Sequence, residues 1–202
     1  KGERMISPTN AISFMNIVGK LKIIKRTGWV RNGIYLPESI SDHMYRMSMM
    51  SWMISDPTIN RDKLIKMCLV HDLAESVVGD ITPHCKVSIE EKKVLEENAF
   101  RKIIQELEPL EVGQEILSLW LEFENGTSVE ANVARQFDKL EMIIQADEYE
   151  KQQNVVLQDF FDSTANYFTQ PEILSWANEL RTKRDIRLQS TASKISSDGE
   201  SI

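Results

Sequence analysis

Cysteine is scarce in these 202 residues: only Cys68 and Cys85 occur, and they form no CxxC pair. Cys68 falls within an apolar helical pattern and reads as a buried, reduced thiol, which points to a reducing compartment, cytoplasmic or nuclear. Long apolar runs are missing. None approaches the ~20 residues that cross a bilayer, so no membrane partner is expected. The opening residues KGERMISPTN hold no apolar stretch before a small-residue cleavage site, and nothing there reads as a signal peptide. Positive charge is also in the minority. With 24 Lys and Arg against 31 Asp and Glu, the net charge of −7 argues against the clustered basic surface that a nucleic-acid polymer requires. A small phosphorylated substrate stays compatible, because one local metal and one or two basic residues can outweigh that global charge.

Strand-like alternation is almost absent, and helical periodicity takes its place. Ala11 to Lys25 is apolar at Ile12, Met15, Ile17, Val18, Leu21 and Ile24, roughly one helix, and the Arg26–Trp29 stretch breaks it, with Gly28 as the stop. Pro37-Glu38-Ser39 leads into a second helix ending near Ile54, and Asn60 caps a third from Arg61 to about Glu75. Val78 to Lys86 reads as a loop, interrupted by Gly79 and Pro83. Ser88–Glu91 is a capping box for a long helix that ends before Pro109. A helix over Glu111–Glu124 closes at Asn125-Gly126, another runs from Thr127–Glu130 to about Tyr149, and Thr169–Glu172 opens the last clear one. These elements predict a single all-α domain, a helical bundle with irregular connections over residues 11–187. Residues 1–10 form an extension, and 188–202 are polar and small and are expected to be disordered.

The chemistry concentrates in Leu64–Glu75. Leu64, Met67, Cys68 and His71 share one helical stripe, Glu75 continues it, and Asp72 lies beside them. A bare His-Asp pair is most often a solvated helix end. Here, however, the pair ends a core stripe, and buried carboxylates require a strong partner. Further donors lie elsewhere: His43 near the start of a Met-rich helix, and Asp138 among Val133, Phe137, Leu140 and Ile144. Taken alone, Asp138 reads equally well as an exposed acid paired with Lys139 or Arg135. Two imidazoles and two carboxylates from separate helices make a mixed N/O set suited to Mn, Fe, Co, Ni or Zn, with coordination positions left over for water and a substrate oxygen.

The order His43, His71-Asp72, Asp138 resembles the H…HD…D pattern of the HD phosphohydrolase superfamily. Residues 26–29, 37–47, 71–83, 136–150 and 157–164 narrow the likeness to the HD domain-containing protein 2 family, which is similar to bacterial 5′-deoxynucleotidases. The resemblance covers roughly Ile12 to Leu180. It implies hydrolysis of deoxyribonucleoside 5′-monophosphates to deoxynucleoside and phosphate, with His43, His71, Asp72 and Asp138 as metal ligands. It also implies catalytic roles for Glu75 and Asp80, which together with the Ile81 carbonyl resemble ligands of a second ion, Mg. A homodimer is implied as well. The bacterial enzymes carry an adjacent Arg-Trp pair, Arg for phosphate and Trp against the sugar; here Arg26 and Trp29 are separated by Thr27-Gly28.

Trp29 is expected in a loop, where its ring forms a wall against a ribose 2′-OH, while Trp52, Trp120 and Trp176 read as core or interface residues. The Met run from Met44 to Met53 reads as adaptable packing, and His84 as a non-ligand. Two rivals stand beside the phosphomonoesterase. One is an HD hydrolase of nucleoside triphosphates or cyclic phosphodiesters, disfavoured by the few basic residues near the site. The other is a catalytically idle helical interaction module.

Overall fold

The computed structural model describes residues 5–109 and 111–199. Ser7 starts the first helix, its hydroxyl accepting the Asn10 N–H at 3.1 Å, so α1 (Pro8–Gly19) begins three residues before the expected Ala11. A 3-10 turn over Lys20–Lys22 ends that segment. The stretch expected to be a loop forms a short helix, α2 (Thr27–Arg31). Ser39 and Asp42 make a reciprocal capping box for α3 (Ile40–Met50), which tightens into a 3-10 turn at Ser51–Met53.

Asn60 caps α4 (Arg61–Val70) through the Lys63 N–H, as the sequence suggests. The expected continuation to Glu75 is interrupted, and a separate turn of helix, α5 (Glu75–Val78), follows. Gly79 ends it at φ 76°, a conformation that favours glycine, and a 3-10 turn spans Pro83–Cys85. The Ser88–Glu91 box opens α6 (Ile89–Gln105); α7 (Val112–Asn125) stops at Gly126 in the left-handed region, and α8 (Val129–Gln153) follows. The last two helices are α9 (Gln158–Asp162) and α10 (Pro171–Gly199). Helix α10 therefore continues through the described part of the expected tail. Between Glu172 and Asp198 there is neither Pro nor Gly to stop it, and it ends at Gly199.

The chain is all-helical, with one isolated antiparallel bridge, Lys25 to Ser39, among the described residues. It forms two compact units, Lys1–Arg135 and Gln136–Ile202. The division falls inside α8, so no Pro-, Gly- or Ser-rich linker marks it. In the first unit, Leu21, Ile40, Met44, Leu73, Phe100, Ile103 and Trp120 form one core cluster, and the Phe100 and Trp120 rings lie 4.5 Å apart. In the second, Phe137, Leu140, Phe161 and Ile173 are buried, and Gln136 accepts the Thr169 and Gln170 N–H groups that open α10. Trp52 lies on the 3-10 turn after α3 and is 65% exposed, so of the two expected roles the core is excluded for it. No helix among the described residues is long and apolar enough to cross a membrane.

Candidate active site

Helix α4 delivers His71. Leu64, Met67 and Cys68 anchor its inner stripe and are fully buried. The α-helical ladder ends where the His71 N–H meets the Met67 carbonyl at 3.0 Å. The next bonds, Leu73 to Val70, Glu75 to Asp72 and Ser76 to Leu73, are all of the tighter 3-10 type. His71 is thus held at a helix end, 4% exposed, with its ring 4.9 Å from that of Phe123.

The hydrogen bonding of His71 decides its chemistry. Nδ1 lies 2.9 Å from the Cys68 carbonyl oxygen. That oxygen can only accept, so Nδ1 carries a proton, and in the neutral ring Nε2 presents a lone pair. Buried Nε2 lies 3.1 Å from Asp72 Oδ2, yet it makes no hydrogen bond of acceptable geometry among the described residues. A lone pair and a carboxylate oxygen facing each other this closely repel unless a cation lies between them: a proton on the ring, or a metal ion.

His43 approaches the same oxygen from α3. It is fully buried, with Nε2 3.8 Å from Asp72 Oδ2 and its ring 5.5 Å from that of His71, and the two histidines offer ring nitrogens within 4.8 Å of each other. The start of α3 is fixed against the chain before α2 by Ile40 N–H to Ile24 O at 3.0 Å and Arg26 N–H to Glu38 O at 3.3 Å. That pairing also places Arg26, whose Nη1 lies 3.4 Å from Asp72 Oδ2. Burial opposes ionisation of Asp72, but His71, Arg26 and His43 outweigh it and hold the carboxyl well below the ordinary range.

Glu75 behaves in the opposite way. It is 3% exposed, and Oε2 makes no hydrogen bond among the described residues. Burial, reinforced by the Asp72 and Asp80 carboxylates, raises its pKa well above the usual value, against the pull of Arg26 and Lys92. Asp80 is half-buried; its Oδ2 accepts the Thr27 N–H at 2.6 Å, and its carbonyl accepts the Thr27 hydroxyl at 2.8 Å. Ile81 follows, also half-buried.

The first unit therefore brings together His43, His71, Asp72, Glu75, Asp80 and Arg26. Trp29 is placed differently from the loop position expected for it. It sits on α2 at 1% exposure, and its Nε1 donates to Glu38 Oε1 at 2.8 Å, so its ring offers no surface to a sugar. Because α2 is only one turn long, no amphipathic pattern in the sequence announces that burial. Asp138 belongs to α8 in the second unit and accepts Lys139 Nζ at 3.0 Å. His84 is exposed. Thr27, to which sequence reasoning assigns no role, makes two bonds to Asp80 that nothing in a linear sequence signals.

Buried imidazoles and a carboxylate meeting at a point that requires a cation, on an all-helical scaffold, define a metal-site architecture of the HD type. The HD domain family matches residues 18–174, and the chain belongs to that family. Among its relatives, the 5′-deoxynucleotidase HDDC2 of Dictyostelium discoideum is 49% identical over 189 residues, covering 87% of this chain and 99% of the relative. The 5′-deoxynucleotidase HDDC2 of Homo sapiens is 44% identical, over 91% of this chain and 90% of that one. Among solved structures, a protein from Pyrococcus horikoshii OT3 superposes with a TM-score of 0.69 at 29% identity, covering 86% of this chain and 97% of that chain.

Proposed function

We propose that this protein is a metal-dependent 5′-deoxynucleotidase that hydrolyses deoxyribonucleoside 5′-monophosphates to deoxynucleoside and phosphate. The observation that carries the reading is the buried His71 Nε2 lone pair held 3.1 Å from Asp72 Oδ2, an arrangement that fits a shared cation. The relatives named as 5′-deoxynucleotidases, matched over most of their length, supply the substrate class.

His43, His71 and Asp72 hold the ion, and Asp138 is the fourth ligand on the strength of the H…HD…D order. The N/O donor set suits Mn, Fe, Co, Ni or Zn. When bound, the ion supplies Lewis acidity and positive charge beside the phosphate. Arg26 binds the phosphate from its place beside Asp72. Burial and the neighbouring Asp72 and Asp80 carboxylates favour the protonated form of Glu75, which suits it to deliver a proton to the departing 5′ oxygen as water attacks phosphorus and the ester P–O bond breaks. Asp80 with the Ile81 carbonyl is the proposed seat of a second ion, Mg, and Glu75 joins that seat only when ionised, as the alternative to its role as proton donor. The working form is a homodimer, and the free, buried thiol of Cys68 supports a cytoplasmic or nuclear location.

The test is phosphate release from a panel of deoxyribonucleoside and ribonucleoside monophosphates, nucleoside triphosphates and cyclic phosphodiesters, with each metal in turn. Turnover of deoxy monophosphates well above the other substrates is expected. A preference for triphosphates or diesters moves the protein to another HD hydrolase activity, and no turnover with any metal leaves the idle interaction module. Sedimentation tests the dimer.

A further inference from the structure

Two hydrogen bonds join Thr27 to Asp80, residues distant in sequence, and they differ in kind. The Thr27 N–H that meets Asp80 Oδ2 at 2.6 Å is one of the first amides of α2, which have no acceptor within the helix. Any residue except proline supplies that bond. The second bond, from the Thr27 hydroxyl to the Asp80 carbonyl at 2.8 Å, requires Thr or Ser. It fixes the backbone immediately after Gly79, where α5 has ended and the chain turns through φ 76°. On the other side of Thr27 stands Arg26, whose guanidinium reaches Asp72. Residues 26 and 27 thus touch the two carboxylates, Asp72 and Asp80, whose charges act on Glu75.

We infer that Thr27 is a positioning residue that locks the Gly79–Ile81 turn to Arg26, so that the Asp80 carboxylate and the phosphate-binding guanidinium hold a fixed spacing. The inference rests on the roles proposed above for Arg26 and Asp80. Thr27 touches neither ion nor substrate. Its hydroxyl keeps the turn from drifting away from α2, and Arg26 stays where a phosphate enters.

The test compares Thr27→Val, nearly the same shape without the hydroxyl, with Thr27→Ser, which keeps it. Transition-metal content, thermal melting, affinity for inorganic phosphate by calorimetry, and KM and kcat for dAMP are measured on the metal-loaded protein. Loss of one neutral hydrogen bond predicts roughly a three- to tenfold weaker phosphate affinity and higher KM in Thr27→Val. Its kcat stays within about twofold, its metal content is unchanged, its melting stays cooperative with at most the small drop that one lost hydrogen bond gives, and Thr27→Ser behaves as wild type. Wild-type phosphate affinity and KM in Thr27→Val overturn the inference, as does a Thr27→Ser protein impaired equally. A Thr27→Val protein that loses its metal or its cooperative melting overturns it too, since the bond would then hold the fold rather than the spacing. If the unaltered protein does not hydrolyse dAMP, the substrate reading fails, and the phosphate titration alone decides the role of Thr27.

Discussion

Removing the negative charge of Glu150 should destabilise the second unit by about 3 kcal/mol at neutral pH, and acid should erase much of the difference. The Glu150 side chain is fully buried. Arg184 grips it with two bonds, Nε to Oε2 at 2.8 Å and Nη2 to Oε1 at 2.7 Å, while the Leu157 N–H and Arg187 Nη2 add further bonds at 2.8 Å. Burial works against the charge, but the Arg184, Leu157 and Arg187 hydrogen bonds prevail and draw the carboxyl from its ordinary 4.5 to about 2. At 1.36 kcal/mol per pKa unit this amounts to about 3 kcal/mol, near the lower end of the 3–5 kcal/mol seen when one member of a buried ion pair is removed. Because the folded pKa is depressed, the stabilisation is fully present above the unfolded value of 4.5 and is lost as pH falls toward about 2. By pH 3 roughly 1.5 kcal/mol should remain.

The perturbation is Glu150→Gln, which keeps the shape but leaves Arg184, 3% exposed and 3.9 Å from the Phe161 ring centre, without its counter-charge. With a urea m-value of about 2 kcal/mol/M, the unfolding midpoint of the second unit should fall by about 1.5 M at pH 7 and by about half that at pH 3. Trp176, in this unit and stacked 6.4 Å from the Phe137 ring, gives a local fluorescence probe once Trp29, Trp52 and Trp120 are replaced. A midpoint within about 0.3 M of wild type at pH 7, about 0.6 kcal/mol, would refute the assignment. So would a difference that does not shrink in acid.

At the candidate site, wild type should carry close to one transition metal per chain by elemental analysis, and His71→Ala and Asp72→Ala should each lose it; full occupancy in both would remove the site as drawn. Glu75→Gln should keep that metal while kcat falls about 10²-fold or more, the usual reach of one general acid or base, and unchanged turnover would take Glu75 out of the chemistry. Trp29→Phe, which retains an aromatic ring but strips the donor from Glu38, should lower stability by about 1 kcal/mol. Its deoxy-to-ribo preference should be unchanged, because the ring is covered. A shift toward ribonucleotides in kcat/KM would show that Trp29 faces the sugar after all.

What the sequence discloses here follows a physical pattern. The stripe Leu64, Met67, Cys68, His71 is legible because a helix packed on one side forces that periodicity, and all four residues are buried. The caps at Asn60, Ser88 and Gly126 are legible because local chemistry alone creates them. The interruption after Val70 is not: the apolar pattern runs on through Leu73 and Ala74, both buried, while the hydrogen bonds change type beneath it. One-turn segments such as α2 and α9 are too short to show a period, so Trp29 reads as a loop residue although it lies in the core. Contacts between residues far apart in sequence, Thr27 with Asp80 and Arg184 with Glu150, leave no linear signature at all.

The same local charges explain why a protein of net charge −7 can be proposed to act on a phosphate. Three carboxylates, Asp72, Glu75 and Asp80, converge on the site with Arg26 close by, and Lys92 also acts on Glu75. Without a divalent ion, an incoming dianion would meet Asp72 already ionised and Arg26 already engaged by it. Burial and the neighbouring carboxylates favour the uncharged form of Glu75, and a divalent ion held by His43, His71 and Asp72 would offset more than the charge on Asp72. Arg26 would then be released in part from its ion pair, with a guanidinium edge to offer the phosphate. On the proposed roles, metal binding and phosphate binding would be coupled through Asp72, and the sign of the local potential, not of the whole chain, would set the substrate class.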